Sequence, residues 1–312
     1  MPHAPVPSAP VEASVETRPE AGAPVPAEGQ DGTPAGAGAL PNLIVIGAQK
    51  CGTSGLHYYL GFHPEISMSR PKEVNFFIKE RNWKLGVEWY MRHFDPEARV
   101  RGESSPNYSA YPHHTGVPKR MSKVVPDARL IYIVRDPLER IESHWVHNFA
   151  KRREKGDLAA TLMHPNTTYV VRSQYFMQLQ QFLNHYRPEQ ILVIDQEDLR
   201  SRRMETLREV FTFVGVDPSF EHPRFVRERH RSEKKQRATR LGARLERLSK
   251  SRLGGWIPKG FWLSLDSRIP LSRPIERPDV KDSLDPEVLR VLTEDANKLR
   301  EFTGRGFENW SV

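Results

Sequence analysis

The stretch that decides the fold runs from Leu43 to Leu60 and reads Leu-Ile-Val-Ile-Gly-Ala-Gln-Lys-Cys-Gly-Thr-Ser-Gly-Leu-His-Tyr-Tyr-Leu. Its first four residues form an apolar, mostly β-branched run, which predicts a buried strand ending at Ile46. A loop rich in Gly, Thr and Ser begins at Gly47, and apolar residues at helical spacing follow it. A strand, loop and helix in this order direct backbone N–H groups and a helix N-terminus toward one point. The stretch therefore predicts an anion-binding site.

The loop is close to a nucleotide phosphate loop but differs from it at one position. Gly47 and Gly52 have the spacing of G-x-x-x-x-G-K-[ST], and Thr53 and Ser54 supply hydroxyl groups. A kinase or GTPase needs a lysine after the second glycine to contact the outer phosphates. Here Thr53 occupies that position, and Lys50 is the only lysine of the loop. The pattern favours an anion loop whose cation precedes the second glycine, and a purely structural glycine turn is the alternative.

The order Gly-x-x-Lys-x-Gly-Thr-Ser after a first strand resembles the 5′-phosphosulfate loop of sulfotransferases. These enzymes use 3′-phosphoadenosine 5′-phosphosulfate (PAPS) as the sulfuryl donor. In that family the loop lysine contacts the donor and helps to neutralise the leaving phosphate, and Lys50 matches it. The resemblance implies that Lys50, Cys51, Gly52, Thr53 and Ser54 bind the donor, and that Lys50 also takes part in catalysis.

A second motif follows another apolar strand, Arg129–Val134. Arg135 lies at the end of this strand and Ser143 lies eight residues later, within a predicted helix. A guanidinium fork and a hydroxyl group together suit a phosphate ligand. The pair resembles the family's 3′-phosphate motif, an arginine followed eight residues later by a serine, which implies that Arg135 and Ser143 bind the 3′-phosphate of the donor. The alternative is a structural ion pair of Arg135 with Asp136 or Glu139.

A candidate general base lies in Pro71–Phe77, which reads Pro-Lys-Glu-Val-Asn-Phe-Phe. The segment resembles the Lys-Glu-x-x-Phe-Phe segment of heparan-sulfate-like and bacterial carbohydrate sulfotransferases, in which the glutamate is the proposed base; Glu73 matches it. Sulfuryl transfer to an alcohol requires the acceptor to lose a proton, and a positioned base contributes about 10²–10⁴-fold. His57, His63 and Glu103 are alternative bases. A histidine is the base in aryl and steroid sulfotransferases, so the resemblance leaves the choice open. A solvated ion pair of Glu73 with the lysine before it remains the non-functional interpretation.

The basic surplus of the chain is concentrated in Arg224–Arg252. This stretch contains twelve Lys or Arg residues and three Glu residues, whereas the whole chain has a net charge of +8. Such a strip indicates a solvated basic face or an anionic partner. It lacks interleaved aromatic residues and a nucleic-acid-binding signature, so nucleic acid is not predicted as a partner. The resemblance places the family's nucleotide-covering loop here and implies that Lys234, Lys235 and Arg237 contact the donor.

The rest of the chain indicates one α/β domain. Residues 1–40 contain eight prolines and many Ala and Gly residues, which predicts a disordered tail, and residues 41–312 are predicted to form the sulfotransferase domain. Strands and helices alternate, as expected for a P-loop-type parallel sheet with helices on both faces. The predicted strands are Leu43–Ile46, Arg129–Val134 and Gln190–Asp195. The predicted helices are His57–Phe62, Trp83–Phe94, Val117–Val125, Pro137–Lys151, Ser173–Tyr186 and Met204–Val214, the last of which ends at Gly215.

Cysteine content and hydropathy predict a cytoplasmic protein that does not associate with a membrane. Cys51 is the only cysteine, so no intrachain disulfide can form. The chain shows no signal-peptide pattern and no apolar span of about 20 residues. Cys51 is interpreted as a small space-filling residue, and its position before a helix predicts a lowered thiol pKa. No Cys/His cluster has the spacing of a zinc site, so no metal is predicted.

Together these features predict a sulfotransferase that moves a sulfuryl group from PAPS to a hydroxyl group, or an amine, of a carbohydrate or other small-molecule acceptor. The reaction is an in-line displacement in which Glu73 accepts the acceptor's proton. Two alternatives stay open, a P-loop kinase and a non-catalytic binder of anionic polymers. The sequence makes no prediction of oligomeric state.

Overall fold

Five parallel strands form the central sheet, in the order β2-β3-β1-β4-β5. In the middle of the sheet Leu43 of the first strand pairs with Gly102 on one side and Arg129 on the other. Every residue of this central strand is buried, as expected for a sheet covered by helices on both faces. The strands are β1 (Leu43–Gly47), β2 (Ile66–Met68), β3 (Val100–Ser104), β4 (Arg129–Val134) and β5 (Ile191–Asp195).

The predicted fold class is confirmed, and the three predicted strands are β1, β4 and β5. The strands β2 and β3 lie outside the predicted ones. Only three residues form β2, and β3 reads Val-Arg-Gly-Glu-Ser, so neither contains the apolar run that marks a buried strand. Their place in the sheet comes from the pairing of β3 with β1 and of β2 with β3, which the local sequence does not encode.

The computed structural model describes residues 38–154, 158, 162, 164–226, 280 and 284–312, together with the backbone of a strand pair. In this antiparallel pair β6 (Gln236–Ala238) faces β7 (Ser272–Pro274). The predictions for the tail, for Lys234 and Lys235, and for the side chain of Arg237 lie outside the described residues. The domain boundary after residue 40 therefore stays a prediction.

The helices largely follow the predicted positions. Two differ at a glycine: α1 begins directly after Gly52 rather than at His57, and Gly86, with φ 82°, divides the predicted helix Trp83–Phe94 into a 3₁₀ turn (Trp83–Leu85) and a short α2. Gly215, with φ 78°, ends α8 as predicted. The helices α5, α7 and α9 lie outside the predicted ones. The helices are α1 (Thr53–Leu60), α2 (Gly86–Met91), α3 (Val117–Val124), α4 (Pro137–Ala150), α5 (Thr168–Val171), α6 (Tyr175–Leu183), α7 (Gln196–Ser201), α8 (Arg203–Val214) and α9 (Pro286–Thr303).

The long helix α9 packs against the core through one apolar face. Leu292 and Leu299 on this face are fully buried. The carboxylate of Asp295 accepts hydrogen bonds from the N–H groups of Phe176 and Met177, at 2.8 and 2.9 Å, at the start of α6. Burial raises the pKa of Asp295 to about 6. Because these contacts join residues more than 100 positions apart, α9 is part of the folded unit.

The described helices are too short or too polar to span a lipid bilayer. A membrane-spanning helix needs about 20 predominantly apolar residues. Among the residues that the structure describes, no helix combines that length with sufficient apolar character.

Candidate active site

The anion loop lies between the carboxyl end of β1 and the start of α1. Gly52 adopts a left-handed conformation with φ 95°, and Lys50 has φ 76°. A glycine is suited to this position because it has no Cβ atom, and a Cβ there would approach Cγ of Gln196 to 3.2 Å. The N-cap residue of α1, which begins at Thr53, is Gly52, and it provides no side-chain hydrogen bond to the first turn. The first N–H groups of the helix therefore remain available for an anion at the loop.

Cys51 lies in this loop with its side chain pointing into the core. The thiol is fully buried, and its Sγ lies 3.4 Å from the hydroxyl oxygen of Tyr175. Burial raises the pKa of Cys51 to about 11. The predicted lowering of this pKa is therefore wrong, because removal of the thiolate from water outweighs the favourable position near a helix N-terminus. Only the backbone of Cys51 is suited to contact a donor.

The second motif begins where β4 ends. Asp136 caps α4, because its carboxylate accepts hydrogen bonds from the N–H groups of Leu138 and Glu139, at 2.8 and 2.9 Å. The guanidinium of Arg135 forms an ion pair with Glu139 at 2.6 Å, as one of the structural alternatives predicts. Ser143 is buried on α4. The motif thus begins at a capped helix, and its Arg135 is paired with Glu139, whose side chain is 56% exposed.

Arg140 of α4 joins the two motifs. Its side chain is fully buried, and its Nε donates a hydrogen bond to the carbonyl oxygen of Gln49, at 3.2 Å, in the anion loop. Since β1 and β4 are parallel neighbours, both motifs lie at the same edge of the sheet. The structure therefore places Lys50 and Arg135 on adjacent strand ends. The sequence indicated Arg140 only as a helical residue between two motif positions.

The segment with the candidate base is held against the anion loop. The Nζ atom of Lys72 lies 3.2 Å from Oε1 of Glu73 and 3.4 Å from the hydroxyl oxygen of Thr53. The N–H of Asn75 in this segment donates a hydrogen bond to the hydroxyl of Ser105 at 3.0 Å, which holds the segment against the residue that follows β3. The side chain of Glu73 is 43% exposed. Glu73 can therefore reach a molecule outside the protein, and Lys72 lies between it and the loop.

The two alternative histidine bases occupy structural positions. Nδ1 of His57 lies 3.0 Å from the hydroxyl oxygen of Ser104, and burial, followed by the charge of Lys72, lowers the pKa of His57 to about 3. His63 is buried, and its Nε2 lies 3.1 Å from the carbonyl oxygen of Asp217. A histidine with so low a pKa is a weak base, and a buried one that contacts the main chain is poorly placed to accept a proton from an acceptor.

Glu103, the third alternative base, is enclosed at the end of β3. It has no exposed surface, and its carboxylate accepts hydrogen bonds from the hydroxyl groups of Tyr90, Tyr108 and Ser105. Burial raises the pKa of Glu103 to about 7, although the three hydroxyl donors oppose this rise. Because Ser105 also accepts the N–H of Asn75, Glu103 supports the segment that carries Glu73. Its geometry suits support rather than proton transfer.

Within the described residues of the structure, no group of three or more His, Cys, Asp or Glu side chains is placed to hold a metal ion.

A parallel sheet with an anion loop after its central strand, and a second cation at the neighbouring strand end, is typical of nucleotide-binding α/β proteins. Residues 40–256, well over half of the chain, match the family model described as the sulfotransferase domain. The chain therefore belongs to the sulfotransferase family.

Among similar curated proteins are two bifunctional heparan sulfate N-deacetylase/N-sulfotransferases. Bifunctional heparan sulfate N-deacetylase/N-sulfotransferase 4 of Mus musculus is 32% identical to this chain over 204 residues. Bifunctional heparan sulfate N-deacetylase/N-sulfotransferase 3 of Homo sapiens is 31% identical over 204 residues. Each match covers 59% of this chain and 23% of the relative, so the chain matches only about a quarter of the length of these proteins. The crystal structure of a sulfotransferase from Alicyclobacillus acidocaldarius is similar at 26% identity and a TM-score of 0.53, covering 72% of this chain and 99% of that one.

Proposed function

We propose that this protein transfers a sulfuryl group from PAPS to a hydroxyl group or an amine of a carbohydrate. The observation that carries the proposal is the contact of Lys72 with both Glu73 and Thr53, because it joins a base-bearing segment to the anion loop. The carbohydrate acceptor is supported by the similarity to heparan sulfate N-sulfotransferases. The names of those relatives specify transfer to nitrogen, and the chemistry of a carboxylate base serves an alcohol as well.

The donor site proposed here has two ends. The 5′-phosphosulfate binds to the backbone of Lys50–Ser54 and to the side chains of Lys50, Thr53 and Ser54, where helix N–H groups and a lysine favour negative charge. The 3′-phosphate binds to Arg135 and Ser143, and it must replace Glu139 as the partner of Arg135. The residues present fit a doubly anionic nucleotide, since each end combines a cation with hydrogen-bond donors.

In the proposed mechanism Glu73 removes the proton of the acceptor as the acceptor oxygen or nitrogen attacks sulfur. The sulfur–oxygen bond to the leaving phosphate breaks, and Lys50 stabilises the charge that grows on that bridging oxygen. Lys72 lies between the base and the loop, where it would stabilise the transferring group. Removing one such preorganised donor typically costs about 2.7–4 kcal/mol of transition-state stabilisation.

The two alternative functions have less support. A kinase would need a lysine at position 53, where the chain has Thr53 next to Lys72. A polymer-binding function without catalysis would rest on the basic strip, most of which lies outside the described residues. Neither alternative gives Glu73 a role at the loop.

The test is the substitution Lys50→Ala, with Lys123→Ala on the exposed side of α3 as the matched control. We expect Lys50→Ala to lower transfer of label from ³⁵S-PAPS to a panel of carbohydrate acceptors by about 10²–10³-fold. The control should transfer at the wild-type rate, and both variants should unfold at the wild-type temperature. If Lys50→Ala retained turnover, the donor assignment would be wrong.

Two further expectations accompany the proposal. We expect no metal requirement, so transfer should continue at an unchanged rate in excess EDTA, and a loss of activity that Mg²⁺ restores would contradict this expectation. The cytoplasmic location is a prediction from the cysteine content and the hydropathy, and localisation of the tagged protein in its source cells would test it.

A further inference from the structure

The segment that follows α9 crosses the carboxyl ends of β4 and β5, which are paired neighbours in the sheet. We call Phe307–Ser311 the strap. The indole Nε1 of Trp310 donates a hydrogen bond to Oδ2 of Asp195, the last residue of β5, at 3.1 Å. The N–H of Ser311 donates to Oδ2 of Asp136, two residues beyond the end of β4. Two consecutive residues of the strap thus bind two neighbouring strand ends.

The two aspartates are used in the same way. Asp136 caps α4 and Asp195 caps α7, and in both the Oδ1 atom accepts the N–H groups of the helix. The strap occupies the other carboxylate oxygen of each. Both side chains are buried, so a carboxylate oxygen without a donor would be costly. The strap therefore completes the hydrogen bonding of two helix caps at the edge of the sheet where the donor site is proposed.

The strap is fixed by the rest of the fold. The guanidinium carbon of Arg300, on α9, lies 6.0 Å from the centre of the Trp310 ring, and its Nε donates to the carbonyl oxygen of Gly306 at 2.9 Å. On its other side the Trp310 ring lies 5.6 Å from the ring of Tyr175, whose hydroxyl oxygen contacts Sγ of Cys51 in the anion loop. The strap thus joins α9 to the supports of the donor site.

The contact of Ser311 bears on Arg135, the residue before Asp136. The guanidinium of Arg135 is paired with Glu139, whose side chain is 56% exposed. An exposed carboxylate holds an arginine weakly, whereas a buried carboxylate left without donors would hold it firmly. Because N–H groups occupy both oxygens of Asp136, the carboxylate that a phosphate must displace from Arg135 is the exposed one.

We propose that the strap is a positioning element of the donor site. By occupying Oδ2 of Asp136, Ser311 keeps the guanidinium of Arg135 available for the 3′-phosphate of the donor. This inference rests on the proposed function, which assigns that phosphate to Arg135 and Ser143. Ser311 acts through Asp136, so it is a positioning residue and not a ligand of the donor.

The experiment uses two nucleotides that differ only in the 3′-phosphate, adenosine 3′,5′-bisphosphate and adenosine 5′-monophosphate. Their Kd values are measured by calorimetry, and the unfolding temperature of each variant is recorded. Ser311→Pro removes the N–H that Asp136 accepts, and Ser311→Ala, which keeps this N–H, is the matched control. Trp310→Phe removes the indole donor to Asp195 without placing a proline in the strap.

For Ser311→Pro we expect the Kd of adenosine 3′,5′-bisphosphate to rise about tenfold, the size of one hydrogen bond to a charged group. The Kd of adenosine 5′-monophosphate should stay within about twofold of wild type. Trp310→Phe should show a smaller loss with the same selectivity, and Ser311→Ala should match wild type. In an Arg135→Gln background, Ser311→Pro should weaken binding of the bisphosphate no further, because the two changes act on the same contact.

Four results would overturn the inference. Unchanged binding of the bisphosphate by Ser311→Pro would separate the strap from the donor site, and a further loss in the Arg135→Gln background would separate it from Arg135. Equal losses with both nucleotides and a lower unfolding temperature would leave the strap a purely structural role. If Ser311→Pro failed to fold, wild-type selectivity of Trp310→Phe would decide against the inference. A wild-type protein that binds the two nucleotides equally would instead contradict the 3′-phosphate site of the proposed function, and the inference would fall with it.

Discussion

The substitution Glu103→Gln is expected to change how stability depends on pH. Glu103 is fully buried, and three hydroxyl groups donate hydrogen bonds to it. Glutamine has nearly the same shape and can accept a hydrogen bond, but it never becomes negatively charged. The variant therefore keeps the packing at the end of β3 and removes the buried ionisation.

The sign and size of the effect follow from the pKa of Glu103, which burial raises from 4.5 to about 7. Between these two pH values the folded protein retains the proton and the unfolded chain has released it. The folded state then binds more protons, so the free energy of unfolding falls as the pH rises through this range. At about 1.4 kcal/mol per pKa unit, the total loss is about 3 kcal/mol, complete above pH 7.

The assay is urea unfolding of wild type and Glu103→Gln at intervals from pH 5 to pH 8. The two proteins should have similar unfolding free energies at pH 5, and the variant should be the more stable by up to about 3 kcal/mol at pH 8. Glu301→Gln, at an exposed position of α9, controls for the loss of one negative charge. Tyr90→Phe removes a donor that lowers the pKa of Glu103, so its pH dependence should shift to higher pH.

Parallel pH curves for wild type and Glu103→Gln would refute the reasoning, because they would mean that the carboxyl group ionises equally in both states. A variant less stable than wild type at pH 8 would show that the charged carboxylate gains more from its three hydroxyl donors than it loses by burial.

Three further predictions concern the active site and its loop. Glu73→Gln should lower kcat by about 10²–10⁴-fold and leave the Kd for adenosine 3′,5′-bisphosphate unchanged. His57→Gln should keep most of the activity. If ³⁵S-PAPS assays gave the opposite ranking of the two variants, His57 would be the base. Glu139→Ala frees Arg135 from its exposed ion pair, so calorimetry should show adenosine 3′,5′-bisphosphate binding about twofold tighter, and weaker binding would separate Arg135 from the 3′-phosphate. The buried thiol of Cys51, with its raised pKa, should resist iodoacetamide at pH 8 in the folded protein and react fully in urea; rapid labelling of the folded protein would contradict its burial.

The sequence predicted the parts of this protein that are encoded locally. A β-branched run followed by glycines specified β1 and the anion loop, and the start of the predicted helix at Pro137 is the start of α4. Parallel pairing then brings Lys50 and Arg135 to one edge, as expected for neighbouring strand ends. These features depend on a few residues that are close in sequence.

Features that depend on distant pairing escaped prediction. Arg172 lies 123 residues from Gln49 in sequence, and only the folded chain shows that its Nε is left without a partner. In the sequence, Lys72 is recognisable only as the residue before Glu73. Its contact with Thr53 forms only when the sheet is assembled. The direction of the pKa shift of Cys51 was wrong because a helix N-terminus can be recognised in a sequence, whereas enclosure of the thiol cannot.

The packing of α9 has a consequence for how the protein is divided. The family match ends at residue 256, yet Leu292 and Leu299 fill the interior beyond it and Asp295 closes the start of α6. The N–H of Ser311 also donates to Asp136, the residue next to Arg135. A polypeptide trimmed to residues 40–256 would lose these supports and expose the apolar side chains that α9 covers. The region that the family model recognises is therefore smaller than the folded unit. A shortened version of the protein should keep α9 and the residues that follow it.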